Sequence, residues 1–214
     1  MPRKKIILTD KFPYHVYNRS NHKQWFSIPM QNVWRIALDS LEIAHKKHSG
    51  IVHAFVLMSN HYHLIISTPR ANLSDFMYEF SKNFSLKLRS ESNQINKMFG
   101  SRYKWSLIEE QRHYYQVMKY VFLNPNKAGI INDVTMYPYS SLHYQKYELP
   151  FPMPIRPALN TLDQDFLDWV HEKHDEKQRE SIALGLRRSK FRYSGTREMR
   201  RPPEFEDFDP KDHK

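Results

Sequence analysis

His61 and His63 stand two residues apart in the segment Met58-Ser-Asn-His-Tyr-His-Leu-Ile-Ile66. Side chains alternate faces along a strand, so both imidazoles point the same way, about 6–7 Å apart at Cα. Tyr62 points to the other face. Two imidazoles so placed can converge on one divalent metal. With 12 histidines in the chain, chance pairing is a real competitor, and the ordinary alternative is two surface histidines. Their setting argues for a ligand. Leu64, Ile65 and Ile66 are apolar, which places the pair on a mid-sheet strand where imidazoles need partners.

A second candidate lies on a helix running from about Gln111 to Leu123 and ending at Pro125. Projected at about 100° per residue, Tyr114, Val117, Met118, Val121 and Phe122 form one arc, with Tyr115 at its edge. That arc is the predicted core face, so Tyr114 and Tyr115 read as packing residues. Tyr120 falls almost opposite, grouped with His113, Gln116 and Asn124 on a polar stripe. Asn124 follows Tyr120 by four residues, one turn along the same face. Leu123 intrudes on the stripe without explanation. The plain alternative for Tyr120 is an amphipathic surface residue.

These groups need a scaffold, and the hydrophobic pattern supplies one. Phe12–Arg19, Ile51–Met58, His61–Thr68 and Tyr103–Ile108 read as strands. Residues 30–48 read as a helix through Val33, Ile36, Ala37, Leu41 and Ala44. A second follows through Leu73, Phe76, Met77, Phe80, Phe84 and Leu88, with Asn72 placed to cap it. The order β-α-β-β-α-β-α predicts an α+β, ferredoxin-like split βαβ sandwich with an antiparallel sheet and helices on one face. Residues 150–157 carry Pro150, Pro152, Pro154 and Pro157 and read as an extended linker after a domain spanning 1–149. Residues 158–194 are expected to form a helical extension with one helix over about 163–184. Residues 195–214 are expected to be disordered.

Composition narrows the function classes. Absence of cysteine excludes disulfides, thiolate metal sites and a cysteine nucleophile. The longest wholly apolar runs are about five residues, far short of the roughly 20 a transmembrane helix needs. Met1-Pro-Arg-Lys-Lys and Ile6-Ile7-Leu8 make no signal peptide. The expected compartment is the cytoplasm, at the nucleoid. The net charge of +10 is unevenly placed: residues 1–150 hold 20 Lys/Arg against 10 Asp/Glu, and residues 151–214 hold 13 of each. A basic domain favours a polyanionic partner through counterion release.

Four stretches together resemble a known family. They are Tyr14-His-Val-Tyr-Asn-Arg-Ser-Asn-His-Lys-Gln24, Phe55 to Ile66, Phe99-Gly-Ser-Arg-Tyr103, and Lys119 to Ile130 followed by Tyr137-Pro-Tyr-Ser-Ser141. The chain resembles a single-tyrosine HUH transposase, and more closely a REP-associated tyrosine transposase of the IS200-like superfamily. The resemblance implies that His61 and His63 are metal ligands, that Tyr120 is the nucleophile and that Asn124 is a polar third ligand. It implies Mg²⁺ or Mn²⁺; by ligand type the imidazoles suit Mn²⁺ better. Tyr62 stands where the family usually has a bulky hydrophobe, and it can pack inward as one.

The implied reaction is metal-dependent cleavage and strand transfer of single-stranded DNA through a 5′-phosphotyrosine, at hairpin or palindromic repeats, with a free 3′-OH that can rejoin strands. Candidate phosphate contacts, close in sequence to the site motifs, are Arg19, Lys23, Arg102, Lys104, Lys119 and Lys127. Trp25, Tyr103 and Trp105 could stack on unpaired bases. The resemblance also admits a homodimer. Two alternatives stay open: a non-catalytic nucleic-acid-binding regulator on the same fold, and a metallohydrolase that activates water.

Overall fold

The computed structural model describes residues 5–93, 97–156, 164–172 and 175–195. Strands β1 (Tyr14–Arg19), β2 (Ile51–Leu57), β3 (His61–Ser67) and β4 (Lys104–Leu107) form one antiparallel sheet, ordered β2-β3-β1-β4. Helix α1 (Met30–His48) joins β1 to β2, and α2 (Leu73–Ser92) joins β3 to β4. This is the expected α+β split βαβ arrangement, with α1 and α2 on one face.

The core under α1 and α2 follows from periodicity. Val33, Ile36, Ala37, Leu41 and Ala44 of α1 meet Phe76, Met77, Phe80, Phe84 and Leu88 of α2 over Tyr14, Val16, Phe55, Tyr62, Leu64 and Ile66. The α1–β2 turn presses onto α2: a Cβ added to Gly50 would lie 2.6 Å from the Phe76 ring. Asn72 corrects one expectation. It sits at the N-cap of α2 without a side-chain cap bond. Its Nδ2 instead donates to His48 O at 2.9 Å, satisfying a carbonyl from the last turn of α1.

The opposite face carries a second core. Helix α3 (Gln111–Phe122) lies over Ala54, Val56 and Ile65, followed by the short α4 (Asn124–Lys127) and α5 (Ser141–Lys146). A bulge between Val52 and Ala54 shifts register, so that Val52 faces the first core and Ala54 the second.

The extension closes this second core with Phe166, Trp169, Val170, Ile182 and Phe191. In place of the single helix expected over about 163–184 there are two, α6 (Gln164–His171) and α7 (Glu176–Gly185). The physical reason is local. Asp175 and Gln178 form a capping box that starts a new helix.

The end of the proline-rich stretch, Pro154 to Arg156, is stitched to the edge of β2 after a bend at Pro152 and Met153. Val52 N donates to Pro154 O at 2.9 Å, and Arg156 N donates to Val52 O at 2.7 Å. At the other edge, Leu107 N donates to Ser189 O and Phe191 N to Leu107 O, both at 2.8 Å. Both sheet edges are thereby protected from further pairing. The extension shares a core with the domain, so residues 150–157 separate the two in sequence and not in packing. Of the tail expected to be disordered, residues 196–214 lie outside the described residues.

Candidate active site

The face of the sheet beneath α3 is polar at one end. Pairing of β1 with β3 sets Tyr17 opposite His63 and Arg19 opposite His61, and β4 sets Lys104 opposite Tyr17. One row across the sheet therefore reads His63, Tyr17, Lys104, and the next begins His61, Arg19. Tyr62 points to the other core, fully buried against Phe80, Phe84 and Phe99.

The histidines are held in defined orientations. Asn60 Nδ2 donates to Lys23 O at 2.7 Å, which turns Asn60 Oδ1 toward His61 Nδ1 at 2.6 Å. An amide oxygen can only accept, so Nδ1 of His61 carries the proton and Nε2 keeps its lone pair. His63 Nδ1 lies 2.8 Å from Nε2 of His15, which shares its face of the sheet. Burial, with Arg19 adding to it, holds His61 neutral down to about 4. Burial also holds His15 down to about 3 and puts His63 well below the usual histidine range. Neutral imidazoles with an outward lone pair are the form that binds metal.

Helix α3 brings Tyr120 over this pair. Its ring stands edge-on to His63, with centroids 5.8 Å apart. Asn124, one turn on, donates Nδ2 to Tyr120 O at 2.9 Å and to Val121 O at 3.3 Å. Its Oδ1 is thereby turned away from α3 and accepts from Arg179 Nη2 at 3.2 Å, with a second lone pair left over. Burial raises the Tyr120 hydroxyl above the usual phenol range, and Arg179, Arg19 and Arg187 pull against it. Two imidazole nitrogens and an amide oxygen are a donor set that fits a divalent cation of the Mn²⁺ or Mg²⁺ type with positions left for phosphate.

The proposed phosphate contacts divide. Arg19 lies at the site, its guanidinium carbon 5.6 Å from the Tyr17 ring centroid. Lys23, Arg102 and Lys104 are at the surface around it. Lys23 follows His22 with both residues at positive φ, in a sharp turn tied to Asn60. Lys127 is exposed and pairs with Glu176 at 3.0 Å. Lys119 is a correction. Its ammonium is buried 4.5 Å from the Trp169 ring centroid and 3.8 Å from Glu172, and burial draws it down to about 8 despite that carboxylate. It anchors the extension and is withdrawn as a phosphate contact. Trp105 is core, packed on Tyr14, and Tyr103 is half-buried. Trp25, 77% exposed, remains as a stacking platform.

Sequence reasoning missed His15, Tyr17, Arg179 and Arg187. The alternation of β1 already puts His15, Tyr17 and Arg19 on one face, a usable signal. Arg179 comes from α7 and carries no local signature.

The fold and this constellation define a single-tyrosine HUH protein. The family described as Transposase IS200 like matches residues 11–123, and the chain belongs to it. The chemistry of that family is DNA cleavage and strand transfer through a tyrosine nucleophile. No curated protein matches the chain. Among solved structures the fold is similar to that of a REP-associated tyrosine transposase bound to a REP hairpin. That alignment has 17% identity and TM-score 0.58, covering 71% of this chain and 90% of the other. A protein from Deinococcus radiodurans described as a putative transposase aligns at 15% identity and TM-score 0.39, covering 56% of this chain and 95% of the other.

Proposed function

We propose that this protein cleaves single-stranded DNA beside hairpin or palindromic repeats and transfers the strand through Tyr120. The observation that carries the reading is the seating of the Tyr120 ring against His63, with Asn124 one helical turn on. Tyr120 Oη attacks phosphorus and the 3′ oxygen leaves, giving a 5′-phosphotyrosine. The covalent bond conserves the energy of the phosphodiester, so rejoining needs no ATP. His61, His63 and Asn124 would hold Mg²⁺ or Mn²⁺, which when bound polarises the phosphate and offsets developing charge. Arg19, Lys23, Arg102, Lys104 and Lys127 receive the backbone, and Trp25 stacks on an unpaired base. The hairpin preference draws support from the relative solved with a REP hairpin.

The test is incubation with a library of single-stranded hairpins and Mn²⁺, followed by a denaturing gel. Wild type is expected to give a covalent protein–DNA adduct that Tyr120→Phe eliminates. Cleavage without an adduct would point to water as nucleophile, and binding without cleavage to a regulator.

A further inference from the structure

We propose that Arg179, carried by the extension on α7, is a catalytic residue whose guanidinium receives the non-bridging oxygens of the scissile phosphate beside Tyr120. The inference rests on the reading of Tyr120 as nucleophile and extends it to a segment outside the matched family region of residues 11–123.

The placement is specific. The guanidinium carbon lies 4.8 Å from the Tyr120 ring centroid. Nη2 donates to Asn124 Oδ1 at 3.2 Å. Helix α7 is fixed beneath it by Ser181, Ile182 and Gly185, all buried, so the arginine stands on a packed element. Glu176, one turn earlier on α7, turns its carboxylate to Lys127 instead. Among the described residues Arg179 has no carboxylate in ion-pair contact; burial opposes its charge, and Tyr120 and, from beyond contact distance, Glu176 favour it. A half-buried guanidinium facing a phenol and an amide oxygen has donors in excess of acceptors, and an anion is what would complete it.

The neighbourhood repeats the pattern. Arg19, from β1, acts on Tyr120 as well, and its Nε is buried with no hydrogen-bond partner among the described residues. Two guanidinium groups from distant parts of the chain thus act on one phenol, Arg179 over its ring and Arg19 through its charge. Planar forks of this kind match the two non-bridging oxygens of a phosphodiester.

In the step itself, a bond forms from Tyr120 Oη to phosphorus and the bond from phosphorus to the 3′ oxygen breaks. The 3′ oxygen leaves with the electron pair and takes up a proton from water, while the phenol proton passes to water. One ester is exchanged for another and Arg179 stays protonated throughout. Its role is to neutralise charge on the oxygens as the phosphorus becomes crowded.

The experiment measures single-turnover adduct formation with saturating hairpin DNA and Mn²⁺. Arg179→Gln keeps an amide donor for Asn124 and removes the charge. It is expected to slow adduct formation by about 100-fold at saturating DNA, with melting temperature near wild type. Arg179→Lys, which keeps the charge without the fork, is expected to recover part of the rate. On DNA with a neutral methylphosphonate at the scissile position, wild type and Arg179→Gln should react at nearly equal rates. An Arg179→Gln variant as fast as wild type or faster, or equally impaired on both substrates, overturns the proposal. If wild type itself forms no adduct, the Tyr120 reading fails and this inference with it. If wild type forms one that Tyr120→Phe removes and Arg179→Gln matches wild type, the role of Arg179 alone fails.

Discussion

His15 shows how a single buried hydrogen bond can matter to a site it does not enter. Its Nε2 meets Nδ1 of His63 at 2.8 Å, so His63 can present only Nε2 to a cation. Outer partners of ligating imidazoles set tautomer and ring orientation, and losing one costs about 10–100-fold in metal affinity. His15→Ala is expected to weaken Mn²⁺ binding by that order, measured by titration of the purified protein, with hairpin affinity in the absence of metal unchanged. Equal Mn²⁺ affinity in the variant would show that His15 only fills space. The pair His61 and His63 was legible because both lie on one strand, where alternation decides their face. The same alternation applies to His15 and Tyr17. What local sequence does not contain is the pairing of β1 with β3, which places them beside the pair.

Helix α3 illustrates what a helical projection can and cannot reveal. Most of the predicted core arc is buried: Val117, Met118, Val121 and Phe122 pack into the second core and Tyr115 joins them, while Tyr114 is only partly buried. The predicted polar stripe is mostly buried too, at His113, Gln116 and Asn124. The reason is the extension, which lies over the side of α3 that a lone domain would leave to water. It also explains Leu123, buried in the same core. Lys119 follows from this cover, and it separates two kinds of lysine. Lys104→Ala, at the exposed end of the site row, is expected to weaken single-stranded DNA binding and lower the salt slope by about 0.7. Lys119→Met is expected to leave both unchanged. Fluorescence anisotropy across a salt series checks the pair, and a salt effect of Lys119→Met would return that residue to the DNA surface. Gly185 gives a matching test of α7. A Cβ there would fall 2.4 Å from Arg192 O, a backbone atom that cannot swing away. Gly185→Ala is expected to cost about 1–3 kcal/mol in chemical denaturation and to slow adduct formation by displacing Arg179. A variant as stable as wild type would mean the chain after α7 relaxes freely.

At the scale of the molecule, the sheet has an apolar core on each face and a covered edge on each side, so acid should act on the fold as a whole. His53 is the clearest lever, sitting in the bulge of β2 away from the candidate metal ligands. Its Nε2 lies 2.7 Å from Ser67 Oγ and its Nδ1 2.8 Å from Tyr114 OH, joining β2, β3 and α3. Burial, with Arg156 adding to it, lowers this histidine to about 4. In the unfolded chain it titrates near 6.5. Between those values the unfolded state binds a proton that the folded state refuses, so stability rises with pH across the window. The stabilisation is complete above about 6.5 and is lost as pH falls toward 4, amounting to as much as about 3 kcal/mol for this group. His15, held down to about 3 by burial, adds with the same sign. Melting temperature is therefore expected to fall steadily from pH 7 to pH 4.5. His53→Gln, which can still bond Ser67 and Tyr114 but does not titrate, should flatten that fall. A wild-type melting temperature constant over the range, or a His53→Gln slope as steep as wild type, would mean that the bulge opens to let the imidazole charge without unfolding.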